Sequence, residues 1–170
     1  MASLKPLIMR ANRLLGASLV EQGLVSIDDL DEANERLLEL IASHASGRQV
    51  SLLSILVNEK RCLDENRLLE KIVEDHVLGI IDIRNIDYPE ALQATLKTGE
   101  CWATMTVPFD HVENTWYLAT TYYLSPAVRS YWEDKIQGNV VWFASSIESI
   151  TEFLEAFDVN VANAAMTSSN

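Results

Sequence analysis

The sequence predicts an α+β fold: a tandem helix–turn–helix repeat followed by a small mixed three-stranded sheet with helices packed on it, in the order β-β-α-β-α. Three observations lead there. Residues Leu14 to Asn34 lie on Leu52 to Ile72 at a constant offset of 38 without a gap, with Leu14/Leu52, Leu15/Leu53, Glu21/Glu59, Leu30/Leu68 and Glu32/Glu70 identical. An ungapped offset of this kind marks one supersecondary unit used twice, each copy covering the other's apolar face. Beyond about residue 80 the leucine-rich helical pattern gives way to stretches rich in Thr, Val, Trp, Tyr and Phe, the composition of strands. Finally, a strand–helix–strand connection near the C-terminus requires a parallel pair, so the sheet is mixed.

Each element has its own local signal. A first helix spans about Pro6 to Gln22, with Gly23 placed to stop it. Ser26 with acidic residues after it is a helix start, and Leu30, Ala33, Leu37, Leu38 and Ile41 form the apolar stripe of a helix reaching about Ser43. His44 to Gln49 is the loop between copies. The second copy is helical from Val50 to Lys60, and Asp64, at the repeat offset from Ser26, caps a helix running to about Leu78 and ended by Gly79. Tyr88-Pro89-Glu90 opens a short helix to about Lys97. Strands follow at Ala103–Pro108, Thr115–Tyr122 and Asn139–Ala144, the first two joined by a hairpin loop at Asp110–Asn114. Ser125-Pro126 starts a helix that Gly138 ends, and Ser145 with Glu148 opens a last helix to about Phe157. The expected organisation is a helical repeat over residues 1–80 (copies 13–44 and 50–79), an α/β unit over 81–157, and a flexible tail over 158–170.

Composition excludes several classes. At 170 residues and 48% apolar content the chain builds a real core. A net charge of −12 repels phosphate backbones, which argues against nucleic-acid binding. No apolar run is long enough for membrane insertion, and the N-terminal segment, interrupted by Lys5, Arg10 and Arg13, lacks the continuous core of a secretory signal, so a cytoplasmic location is expected. Cys62 and Cys101 have no metal-type spacing and read as reduced thiols. His44, His76 and His111 stand apart from any Ser/His/Asp or Cys/His arrangement, so no enzyme is expected, and neither is a cofactor or metal. The run Asp28-Asp29-Leu30-Asp31-Glu32 lacks the oxygen-rich, glycine-bearing loop of a calcium site and falls where a helix N-terminus favours acids.

Taken in order, the motifs resemble the N-terminal domain of the assembly ATPases of type II secretion and type IV pili. Leu15-Gly16-Ala17-Ser18-Leu19-Val20-Glu21-Gln22-Gly23-Leu24-Val25 is similar to the family's opening, and Leu78 to Ile83, Val107-Pro108-Phe109, Trp116 to Ala119, Gly138 to Val141 and Ser145 to Phe157 follow its remaining order, so that the resemblance covers about residues 13–157. The phosphate-binding loop of the family's motor domain is missing, so the chain resembles the regulatory domain alone, either free-standing or excised, and its loose-ended tail favours the former. The resemblance implies a docking or regulatory module whose partner is a protein, such as an assembly ATPase or an inner-membrane platform component.

One branch of that family, the MSHA-pilus type, uses the tandem repeat to hold cyclic di-GMP and needs an arginine two residues before the glycine of each copy. Leu14 and Leu52 occupy those positions here, and Ser54 and Arg61 replace glycines in the second copy. The strongest charge-assisted contacts are therefore missing. If the ligand is bound, the resemblance assigns it to Arg13, Gly16, Gly23, Leu52 and Arg61, with Arg10 and Arg48 as further cations. For protein contact, the aromatic residues Tyr117, Tyr122, Tyr123, Tyr131 and Trp132 are the candidates, since any left outside the core serve as interface anchors. A homo-oligomer assembled through that surface is a third reading.

Overall fold

The computed structural model of the chain describes residues 3–43 and 50–168. Helix α1 (Lys5–Glu21) carries Pro6 in its first turn, where a missing N–H costs nothing, and fully buries Ala11, Leu15 and Leu19 along one stripe. It ends in a Schellman turn: the Gly23 N–H donates to the Val20 carbonyl and the Leu24 N–H to the Leu19 carbonyl, with Gly23 at φ 70°. Ser26 then caps α2 (Ile27–Ala42), its Oγ accepting the Asp29 N–H at 3.1 Å. The predicted loop His44–Gln49 lies outside the described residues.

The second copy repeats this plan with one change. α3 (Leu52–Ser54) runs directly into a π-turn (Ile55–Glu59), and the Cys62 N–H reaches back six residues to the Leu56 carbonyl. Arg61, at the repeat position of Gly23, has the same left-handed backbone at φ 53°. Asp64, at the position of Ser26, caps α4 (Glu65–His76) by accepting the Asn66 N–H at 2.9 Å. The copies meet at Gly16: a Cβ there would sit 2.8 Å from Leu30 Cδ1 and 3.2 Å from Leu52 Cδ2. The glycine is thus what lets a leucine from each copy close over α1.

The sheet has four strands rather than the expected three: β1 (Gly79–Ile80), β2 (Thr106–Val112), β3 (Thr115–Thr120) and β4 (Asn139–Ala144), in the order β1-β4-β3-β2. β2 and β3 form the antiparallel hairpin, and β4 runs parallel to both β3 and β1, as the crossover connection requires. Gly79 is therefore not the stop of the fourth helix. Val77, at φ 55°, ends α4, and Gly79 lies against the Phe143 ring, where a Cβ would be 2.8 Å from its edge. The short helix begun at Pro89 is α5 (Glu90–Thr95), and a second helix, α6 (Thr98–Thr104), replaces the predicted start of the first strand. Burial of Cys101, Trp102 and Ala103 outweighs the low helix propensity of Thr98 and Gly99. After β3, α7 (Pro126–Lys135) starts at Ser125 as expected, but the Ser125 hydroxyl donates to the Ala11 carbonyl of α1 instead of capping its own helix.

The last helix, α8 (Ile147–Ser168), extends well past Phe157, so the expected flexible tail is helical and exposed through Ser168. Its cap is Ser146, which accepts the Ser149 N–H, while Ser145 donates to the Ile81 carbonyl. Ser149 in turn accepts the Ile83 N–H and donates to Asp82, whose carboxyl Arg84 holds well below the usual range.

One buried knot joins the helical repeat to the sheet unit. The Tyr122 hydroxyl donates to Asn12 Oδ1 at 2.6 Å and accepts the Leu53 N–H at 3.3 Å; its single proton thus spent, it accepts from Ser51 Oγ at 2.9 Å. Asn12 Oδ1 also accepts the Leu52 N–H at 3.0 Å, and Ser51 Oγ accepts the Ser54 N–H at 3.2 Å. Tyr122→Phe leaves buried donors and acceptors unpaired and is expected to cost about 1–3 kcal/mol in denaturant unfolding. Burial pushes the Tyr122 phenol up to about 12, whereas an unfolded tyrosine ionises near about 10. Its stabilising effect is therefore complete below about pH 10 and lost as pH rises toward about 12, at ~1.4 kcal/mol per unit. Alkaline unfolding curves should show this loss in the wild type and a flatter profile in Tyr122→Phe; equal slopes would refute it.

Candidate functional site

The five residues assigned to cyclic di-GMP are not brought together. Gly16 and Leu52 are buried against each other. Gly23 is exposed in its turn. Arg13 lines a groove between α1 and α2, and Arg61 lines a different cavity beside the turn of the second copy, with Asn58, Asp64 and Arg67. Arg48 lies outside the described residues.

The aromatic candidates separate into buried and half-exposed groups. Tyr122 and Trp132 are core residues and present no face to a partner, which corrects their expected role. Each is polar-tipped, and each tip has found a buried acceptor: Tyr122 in Asn12, Trp132 Nε1 in Thr104 Oγ1 at 3.0 Å. Tyr131 is half-buried, stands edge-on to Trp132, and lies beside Glu100, which pairs with Lys135. Tyr123 is half-buried beneath His76 at 4.8 Å and Arg129 at 5.0 Å. Tyr117 is half-exposed on the sheet.

Register shows what surrounds Tyr117. It stands opposite Asp110 on β2 and Val141 on β4, while Thr115, two residues before it, stands opposite Val112. Alternation places all of these on one face with Phe143. The Phe109, Tyr117 and Phe143 rings lie 5.4–6.4 Å apart between centroids. Phe109 is buried, but Val112 and Val141 are 53% and 39% exposed. This end of the sheet thus leaves an apolar, aromatic face open, with Asp110 and Glu113 beside it. On the opposite face, His111 stacks on Trp116 at 3.9 Å.

Nothing in the described residues assembles a nucleophile or a metal cage. No group of three or more His, Cys, Asp or Glu side chains among them could hold a metal ion. Burial pushes both thiols up, Cys101 far above the ordinary range, which favours the protonated form over the nucleophilic thiolate. No described helix is long and apolar enough to cross a membrane. Sequence reasoning missed Asn12 and Ser51, whose roles depend on a tyrosine far along the chain. It also missed the α1–α2 groove, for which a signal existed: no acidic residue occurs before Glu21 in a strongly acidic chain.

No family model matches the chain, and no curated protein matches it. Solved structures do. The structure of MshE with cdg is 16% identical, with a TM-score of 0.51, covering 84% of this chain and 97% of that one. The N-terminal domain of XpsE is 15% identical with a TM-score of 0.55, covering 85% and 94%; a second crystal form gives 16% and 0.52, covering 82% and 90%. The chain therefore has the fold of these domains, the fold its motif order led us to expect.

The shared turn geometry makes a direct test of the repeat. Arg61→Gly relieves a side chain held at φ 53° and is expected to stabilise the protein by about 0.5–1 kcal/mol. Gly23→Arg, at φ 70°, should destabilise it by a similar amount. Thermal or urea unfolding of the two variants measures both signs.

Proposed function

We propose that this chain is a non-catalytic docking or regulatory module acting by protein–protein contact in a secretion, pilus or derived motility system. Its partner class is an assembly ATPase or an inner-membrane platform component, and its location is the cytoplasm. The observation that carries this reading is the open sheet face around Tyr117, Val112 and Val141. Exposed aromatic and aliphatic residues at the end of a rigid sheet bury well against a partner. The acidic residues beside it favour a partner with a basic rim and make the encounter depend on salt. The likeness to XpsE and MshE domains supports the system in which the partner is sought.

The test is binding of purified cytoplasmic domains of such components to the immobilised protein. Tyr117→Arg with Val141→Glu should weaken a specific interaction by at least about tenfold while leaving the unfolding curve nearly unchanged, because both side chains are partly exposed. Equal binding by the double variant would remove this face from the reading.

The second reading is a cyclic di-GMP receptor, favoured by the structural likeness to MshE with cdg. Against it stand the leucines at positions 14 and 52 and the filled space at Gly16. Calorimetric titration with cyclic di-GMP should show no micromolar binding; a Kd of about 1 μM or tighter would make the chain a receptor.

A further inference from the structure

We propose that the groove between α1 and α2 binds an acidic amphipathic helix of a partner protein. The groove encloses about 440 Å³, and both walls have helical spacing. From α1 it takes Pro6, Met9, Arg10 and Arg13; from α2 it takes Asn34, Leu37, Leu38 and Ile41. Each set runs i, i+3, i+4, i+7, so a ridge from each helix flanks a trough about 10 Å long. That is the shape into which a third helix lays an apolar stripe. The walls are more exposed than packed helices leave such residues: Met9 is 43% and Leu38 55% exposed.

Charge selects the occupant. The chain carries −12 overall, yet its first twenty residues hold Lys5, Arg10 and Arg13 and no Asp or Glu. Arg10 and Arg13 are exposed at the groove and form no ion pair with any described residue. The α2 wall is different, because Glu35 is exposed beside Leu38, whereas Glu39 pairs with Arg36. An occupant must therefore present carboxylates on the flank facing α1 and neutral or basic residues on the flank facing α2. An anionic bilayer, flat and negative everywhere, meets Glu35 as well and cannot follow the concave floor at Leu37, which is buried. The groove is a different surface from the Tyr117 face, and the inference stands if that face proves inert.

A fluorescein-labelled, side-chain-stapled peptide helix serves as the probe, with leucines at i, i+3, i+4 and i+7 and glutamates along one flank. Fluorescence anisotropy should show saturable binding to the full chain. Arg10→Glu with Arg13→Glu, or Leu38→Asp alone, should weaken it by about tenfold or more. A peptide with Gln in place of Glu should bind about fivefold more weakly, and added salt should narrow that difference. Tyr117→Arg should leave binding unchanged. Circular dichroism confirms that the exposed substitutions keep the fold. The inference is overturned if the Gln peptide binds as tightly as the Glu peptide, or if the arginine reversal changes nothing. It is equally overturned if the chain floats with phosphatidylglycerol vesicles in an Arg10- and Arg13-dependent way while ignoring the peptide.

Discussion

The Tyr122 hydroxyl is the constraint on which the arrangement of the two halves depends. A helix that begins inside a protein leaves its first N–H groups without intrahelical partners. α3 begins that way, and Leu52 and Leu53 are both essentially inaccessible to water. Two tertiary acceptors and the helix's own N-cap meet the three N–H groups at its start: Asn12 from α1 takes Leu52, the Tyr122 hydroxyl from the segment after β3 takes Leu53, and Ser51 takes Ser54. The knot therefore specifies three things together: where the second copy starts, how α1 lies, and where the sheet unit docks. Ser125, three residues beyond Tyr122, adds the bond to the Ala11 carbonyl. Hydrophobic burial supplies most of the driving force but is indifferent to register, whereas these short, directional bonds are not.

The repeat is best understood against that anchor. Its turns are conserved between copies in geometry rather than in residue type. Gly23 and Arg61 share the left-handed backbone, and Ser26 and Asp64 both cap. The copies diverge where the knot acts. α1 approaches its turn as a long regular helix, but α3 is pinned at its N-terminus and reaches the equivalent turn through a π-turn. A wider turn is a physically reasonable way for a short helix, held at one end, to bring its last residues into the same place. Gly16 makes the complementary accommodation by giving its Cβ space to Leu30 and Leu52. The space at Gly16 is thus used for packing a leucine from each copy against α1.

The parts of the fold legible in sequence were those set by local chemistry: the caps at Ser26 and Asp64, the stop at Gly23, the start at Ser125-Pro126, and β4 from Asn139 to Ala144. Tertiary contacts decided the rest. β1 is two residues long and exists because Phe143 and Ala144 offer an edge; no periodicity can be read from two residues. α6 holds Thr98 and Gly99, poor helix formers, because Cys101 and Trp102 are buried on one side of it. α8 continues past Asp158 with Val, Asn and Ala, a stretch too uniform to show a stripe. The aromatic candidates divided for the same reason. Sequence named the five aromatics together, and that Tyr122 and Trp132 are buried turned on acceptors at Asn12 and Thr104, remote in sequence.

Charge and surface together bear on the proposed docking role. Its acidic residues are spread over α2, α4, α7 and α8, where many meet solvent or pair with a neighbouring cation. The stretch before Glu21 is the exception, with cations and no acid. Two apolar surfaces then lie in different electrostatic settings: the sheet face at Tyr117 beside Asp110 and Glu113, and the α1–α2 groove with Arg10 and Arg13 on one wall and Glu35 beside the other. Contact area alone would let either surface accept many partners. On the proposed docking role, these differing charge patterns favour different partners at the two surfaces. The buried knot at Tyr122, by setting how the repeat meets the sheet, sets the geometry between these two surfaces.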